Sequence, residues 1–139
     1  MKIREIMHAK PITVTADQLA RDAFEIMLSK GFRHLPVVDD AGALIGVLSD
    51  RDIRNIAVVQ EKRPREAADF VIVEPITAQE IMTPDPVTVS SEDEVGRAAK
   101  LMALHQFGCL PVVDDDELVG IVTQVDMLKL LDRMLNANK

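Results

Sequence analysis

Residues 32–52 read FRHLPVVDDAGALIGVLSDRD, and residues 107–126 read FGCLPVVDDDELVGIVTQVD. Each stretch holds two apolar runs around an acidic turn. Each then ends on a hydroxyl followed three residues later by an aspartate: Ser49 and Asp52, Thr123 and Asp126. The runs Leu35-Pro36-Val37-Val38 and Leu110-Pro111-Val112-Val113 are apolar at successive positions, which predicts strands buried on both faces. Strands are expected over His34–Val38 and Ala43–Leu48, around Asp39-Asp40-Ala41-Gly42. Their counterparts are Cys109–Val113 and Glu117–Val122, around Asp114-Asp115-Asp116.

The same self-similarity extends upstream. EIMHAKPITV at 5–14 matches EIMTPDPVTV at 80–89, and aligning 5–53 with 80–127 gives 18 identities in 48 pairs. Chance does not produce that, so the chain is two copies of one unit. In each copy a proline (Pro11, Pro86) precedes a β-branched stretch, Ile12–Thr15 or Val87–Ser90, which reads as a strand. A helix follows, with Asp17 and Ser91 as expected caps. Its apolar positions are Ala20, Ala23, Phe24 and Met27 in one copy and Val95, Ala98, Ala99 and Met102 in the other. Gly31 closes the first of these helices, and Gln106 stands at that place in the second, where a different exit is expected. A last helix is expected from Asp50 to Val59 and from Gln124 to Leu135.

The unit therefore reads β-α-β-β-α, and the fold class is α+β. About 60 residues bury only a thin core alone, so two tandem repeats are expected to pack sheet to sheet about a pseudo-two-fold. The boundaries are 1–60 for the first repeat, 61–75 for a linker and 76–139 for the second. The linker region carries the charged run Glu61-Lys62-Arg63-Pro64-Arg65-Glu66 and then the apolar Phe70-Val71-Ile72-Val73. It reads as a connector. The final helix has more apolar residues than one core-facing stripe needs: Met127, Leu128, Leu130, Leu131, Met134 and Leu135. A homodimer would use the surplus.

Composition narrows the function classes. With 47% hydrophobic and 28% charged residues in 139, the chain is an ordinary globular mixture, and no apolar run approaches the roughly 20 residues of a membrane span. Lys2 and Arg4 are not followed by the apolar core of a secretory signal, and the single Cys109 has no internal disulfide partner. A cytoplasmic protein with no membrane partner is expected. Net charge is −7, with 11 basic and 11 acidic residues in 1–70 against 5 and 12 in 71–139. That balance, with no Trp and no Tyr, argues against nucleic acid as a partner. A small anion remains compatible, and the first half holds the charge partners. The chain has no P-loop, no G-x-G-x-x-G and no G-x-S-x-G. No enzyme activity and no catalytic residue are expected.

Paired LPVVD units, each followed by glycine, two apolar residues, Ser/Thr and an Asp three further on, resemble cystathionine-β-synthase-type (CBS) domains. The matching stretches are Gly46-Val47-Leu48-Ser49-Asp50-Arg51-Asp52 and Gly120-Ile121-Val122-Thr123-Gln124-Val125-Asp126, with EIM and P-x-T-V upstream in each copy. Two copies in order cover almost the whole chain. The resemblance implies a stand-alone tandem pair, a Bateman module, binding an adenosine-containing nucleotide in clefts between repeats. It also implies that the ligand state is passed to a separate target protein. AMP, ADP or ATP is the expected ligand, with no required cofactor. S-adenosylmethionine, NAD and cyclic dinucleotides remain open, as does a ligand-free docking module.

The chemistry of the motif is intelligible by itself. A strand-end hydroxyl and the free N–H groups of a helix start suit an anion. A carboxylate three residues on can accept both hydroxyls of a ribose. The same spacing equally describes a plain capping box. By the resemblance, site one combines Ser49 and Asp52 with Val87 and Thr88, and site two combines Thr123 and Asp126 with Ile12 and Thr13. Arg33 and His34 precede LPVV in copy one, Gly108 and Cys109 in copy two. Arg33 is a permanently charged fork suited to phosphate, with Arg51 and Arg54 near it in sequence. Site one is therefore expected to bind better and to prefer a phosphorylated ligand. His34 is either a phosphate contact or a hydrogen-bonded strand residue. His105-x-x-x-Cys109 lacks the second pair a zinc site needs, and no metal is expected. Cys109 reads as a small buried residue. The run Asp114–Glu117 reads as a solvated hairpin rather than a cation loop.

Overall fold

A computed structural model describes residues 1–56, 58–59, 70–71 and 75–137. The chain divides into two compact units that do not follow the linear repeats. Residues Ile12–Asp85 form the first; Met1–Pro11 with Pro86–Lys139 form the second. Each unit thus holds the opening segment of the other repeat.

In the first unit, β2 (Val14–Thr15), β3 (His34–Val38), β4 (Leu44–Ser49) and β7 (Thr83–Pro84) make a four-stranded sheet in that order. β2 runs parallel to β3, and the other pairs are antiparallel. Helices α1 (Ala20–Lys30), α2 (Asp50–Ile56) and α3 (Ala78–Ile81) cover it. The core joins Val14, Ala23, Met27, Leu35, Val37, Leu48, Ile53 and Ala78. Successive apolar residues of β3 are buried, as expected of a strand covered on both faces.

In the second unit, β1 (His8–Ala9), β9 (Glu117–Thr123) and β8 (Cys109–Asp114) make a three-stranded antiparallel sheet. It is covered by α4 (Val95–His105) and α5 (Gln124–Leu135), and a 3-10 turn at Ile3–Glu5 lies upstream of β1. Its core joins Ile3, Val89, Val95, Ala98, Met102, Leu110, Val112, Val122 and Leu130. Ala99, expected inside, is exposed, because the buried stripe follows Val95, Ala98 and Met102.

Asp17 and Ser91 do not cap helices. Thr15 N–H donates to Gln18 Oε1 at 2.9 Å and Ser90 N–H to Asp93 Oδ2 at 2.8 Å, so a turn intervenes and delays each helix start. The first helical N–H groups find backbone carbonyls instead: Ala20 donates to Ile76 at 2.7 Å, and Val95 to Met1 at 3.0 Å. The opening segments at 76–85 and 1–11 therefore cap α1 and α4.

Three other expectations shift. The β-branched stretch of the second repeat is reduced to one parallel bridge, Val89 with Val112. The helix from Asp50 ends at Ile56 rather than Val59, because β5 (Val58–Val59) pairs antiparallel with β6 (Phe70–Val71). Gln106 takes the left-handed conformation at φ 58°, as Gly31 does at 74°, so the second helix exit matches the first without a glycine. The charged run 61–66 and residues 72–73 lie outside the described residues.

Two glycines are demanded by close approach. A Cβ on Gly46 would meet Met82 Sδ and come within 2.9 Å of the Thr83 carbonyl oxygen. On Gly120 it would lie 2.5 Å from Met7 Sδ and 3.0 Å from the His8 carbonyl oxygen. The glycine of each repeated motif makes room for the strand arriving from the other repeat, β7 on β4 and β1 on β9.

Candidate functional site

In each unit the antiparallel pair brings the motif hydroxyl opposite the residue before LPVV. Ser49 faces His34 in register, and Thr123 faces Cys109. The helix that follows is tied to the same place: Asp50 N–H donates to Arg33 O at 2.9 Å, and Gln124 N–H to Gly108 O at 3.0 Å. Arg33, His34, Ser49, Arg51 and Asp52 are thus gathered at one end of the first unit's hairpin. Gly108, Cys109, Thr123 and Asp126 are gathered at the corresponding end of the second.

The capping geometry is present in both. Ser49 N–H donates to Asp52 Oδ2 at 2.8 Å, and Asp52 N–H to Ser49 Oγ at 3.1 Å. Thr123 donates to Asp126 Oδ2 from its N–H at 2.8 Å and from its hydroxyl at 3.1 Å, and Asp126 N–H returns to Thr123 Oγ1 at 3.3 Å. Capping uses only one carboxylate oxygen. The capping bonds fall on Oδ2 and do not use Oδ1, so a capping box and a ligand acceptor can coexist in one side chain.

These two hairpin ends belong to a family with two such repeats. The CBS domain matches the chain twice, over residues 3–58 and 78–133. The chain belongs to the CBS domain family. A CBS domain-containing protein of Dictyostelium discoideum is 33% identical over 135 residues, covering 96% of this chain and 92% of its own. The L-aspartate semialdehyde sulfurtransferase of Methanocaldococcus jannaschii is 31% identical over 129 residues, 92% of this chain but only 23% of that enzyme. Among solved structures, Arabidopsis thaliana CBSX2 in complex with AMP aligns at a TM-score of 0.78 and 26% identity, covering 97% of this chain and 98% of that one. The CBS domain pair of protein MJ0100, in complex with 5′-methylthioadenosine and S-adenosyl-L-methionine, aligns at 0.76 and 28%, covering 94% and 99%.

The two CBS hairpin ends differ in charge. Arg33 and Arg51 are exposed in the first unit. Arg54 turns along its helix instead, 3.8 Å from Asp50 and 5.5 Å above the Phe24 ring. His34 is half-buried, and burial holds its pKa below the usual 6.5, with Arg33 pushing the same way against the pull of Asp50 and Asp52. The imidazole is neutral at pH 7 and gains a reason to protonate if a phosphate comes beside it. In the second unit Gly108 and Val125 stand where Arg33 and Arg51 stand in the first, and no guanidinium replaces them.

Cys109 is buried, and burial pushes its thiol up to about 12, which keeps it a protonated, unreactive thiol. His105 is exposed and stacks on Phe107 with centroids 5.1 Å apart. Among the described residues no three His, Cys, Asp or Glu side chains gather as a metal site. The acidic run does not gather either. Asp115 and Asp116, at φ 49° and 64°, form a two-residue hairpin turn, while Asp114 accepts from Ser90 Oγ at 2.8 Å, from Ser91 N–H at 3.0 Å and from the Ser91 hydroxyl. Among the described residues no helix is long and apolar enough to cross a membrane.

Ile12 and Thr13 precede β2 and lie in the first unit, with Ser49 and Asp52. Val87 and Thr88 precede the Val89 bridge and lie in the second, with Thr123 and Asp126. Ile12 and Val87 are exposed apolar residues. One site residue escaped sequence reading: His8, whose Nε2 lies 3.1 Å from Asp126 Oδ1. The signal was the mismatch of His8 with Thr83, one of several between the two EIM segments, and it points nowhere until β1 is known to pair with β9.

Proposed function

We propose that this CBS pair is a non-catalytic sensor that binds an adenosine-containing nucleotide and reports its state to a separate protein. The observation that carries the reading is Asp52. Its Oδ2 is held by Ser49 N–H, and among the described residues nothing donates to its Oδ1. A ribose diol finds there a positioned acceptor. Arg33, Arg51 and His34 supply the partners for phosphate, which favours AMP, ADP or ATP over the cationic S-adenosylmethionine. Ser49, with Asp52, is the core of this set; Thr123 and Asp126, with Gly108 and Cys109, form the second and weaker one. Ile12, Thr13, Val87 and Thr88 offer apolar and hydroxyl contacts for adenine and sugar. That CBSX2 binds AMP and the MJ0100 pair binds two adenosine compounds supports this ligand class.

A thermal-shift screen against AMP, ADP, ATP, S-adenosylmethionine, NAD and cyclic di-AMP tests it. Ligand at ~100 times its Kd stabilises the native state by about 2.7 kcal/mol. The expected result is a shift with an adenine nucleotide, lost mainly in Asp52→Ala. Loss mainly in Asp126→Ala reverses the order of the sets, and no shift with any ligand favours a docking module.

One observation favours a docking role beside ligand binding. On α5, Leu130 is buried, but Leu128, Leu131, Met134 and Leu135 are 64%, 49%, 66% and 70% exposed. A second copy of the chain would cover this stripe as a homodimer. Light scattering should give a dimer mass for the wild type and a monomer mass for Leu131→Asp with Leu135→Asp.

A further inference from the structure

The two aspartates of the repeated motif are alike in their capping bonds and unlike in everything around the second oxygen. Asp126 is 7% exposed, and its Oδ1 lies 3.1 Å from His8 Nε2, within ion-pair range. His8 reaches it from β1, where it sits opposite Ile121 on β9. In the first unit the strand that plays this part is β7, and Thr83 sits opposite Val47 on β4. The register is equivalent, but a threonine side chain is too short to do what His8 does, and Asp52 Oδ1 has no donor among the described residues.

We propose that His8 is a built-in competitor for the ligand at Asp126, and that it makes the two nucleotide sets unequal. The inference rests on the ligand reading above, in which each aspartate accepts ribose hydroxyls. With Oδ2 bonded to Thr123 and His8 Nε2 standing 3.1 Å from Oδ1, both oxygens of the Asp126 carboxylate have a close neighbour. A vicinal diol must displace the imidazole to gain its two bonds. An imidazole nitrogen at that distance occupies the space a ribose hydroxyl needs beside Oδ1. Displacement is feasible because the His8 side chain is 57% exposed, so the ring can leave toward solvent without unpacking the core. Ligand therefore fills the Ser49–Asp52 set first, and the Thr123–Asp126 set responds only at higher concentration. One chain would then read two ranges of the same ligand.

The test uses the full chain and AMP as the probe, followed by calorimetric titration. In an Asp52→Ala background, where the Asp126 set alone is complete, His8→Thr should tighten AMP about tenfold, because no imidazole then has to be displaced from Oδ1. Thr is the residue the other repeat carries at that place, so the variant is compatible with the strand. The reciprocal graft, Thr83→His in an Asp126→Ala background, should weaken AMP at the Asp52 set by a similar factor. A purely structural role for His8 would not produce that reciprocal effect. Unchanged or weaker AMP binding on His8→Thr overturns the inference while leaving the ligand reading intact. AMP binding indifferent to both Asp52→Ala and Asp126→Ala overturns the ligand reading and this inference with it.

Discussion

Ile3 is fully buried, yet it lies at the very start of the first repeat and packs in the core built from the second. Its backbone joins the same unit: Ile3 N–H donates to Asp93 O at 2.9 Å and Arg4 N–H to Ser91 O at 3.0 Å. Ile3→Ala removes three buried carbons, about 2.4 kcal/mol at ~0.8 kcal/mol per group. The cavity left in this core adds to this, for an expected loss of about 3 kcal/mol. The salt bridges of the segment, Lys2 with Glu94 and Arg4 with Glu92, are exposed and add little. Urea unfolding measures the total, with Leu28→Ala as the exposed control, expected within about 0.5 kcal/mol. Hydrogen exchange measures the location: amides of β8, β9 and α4 should lose protection, and those of β3 and β4 should keep theirs. A loss under about 0.5 kcal/mol, or lost protection confined to residues 14–53, would show that the opening segment does not belong to the second core.

Gly46→Ala should destabilise by about 1–3 kcal/mol, because the new methyl meets a backbone carbonyl as well as the flexible Met82; a neutral effect in urea unfolding would mean that β7 is free to shift. The bonds from Ser91 and Ser90 hold the Asp114 pKa below the usual carboxylate value. The unfolded state then binds more protons below about pH 4, so this stabilisation is present above the unfolded pKa and is lost as pH falls through the folded one. Ser91→Ala should therefore lower the urea midpoint at pH 7 and leave little difference from wild type in strong acid. Cys109, with its thiol raised to about 12, should resist iodoacetamide at pH 8 in the folded protein and react readily in denaturant; rapid labelling of native protein would contradict its burial.

The strand pairs at the centre of each repeat were legible in the sequence because they are local. Continuous apolar runs around a short polar turn admit few other solutions, and the duplication supplied an internal check at Asp52 and Asp126. The same locality explains α5, whose bounds match the expectation, and the left-handed exit at Gly31. What failed to be legible depends on distant chain. The capping of Ala20 and Val95 by carbonyls of Ile76 and Met1, the reason for Gly46 and Gly120, and the end of α2 at Ile56 all follow from segments arriving from elsewhere.

Periodicity and duplication by themselves determined the fold class, the repeat and the aspartates on which a ligand reading rests, since each is written in residues a few positions apart. Only the tertiary structure decided that the opening segment of each repeat serves the other's unit, and hence that His8 rather than a second threonine stands against Asp126. Two similar motifs acquire different surroundings through a neighbour more than a hundred residues away in sequence. Local pattern carries no information about such a neighbour, because strand partners are chosen by packing of the whole chain.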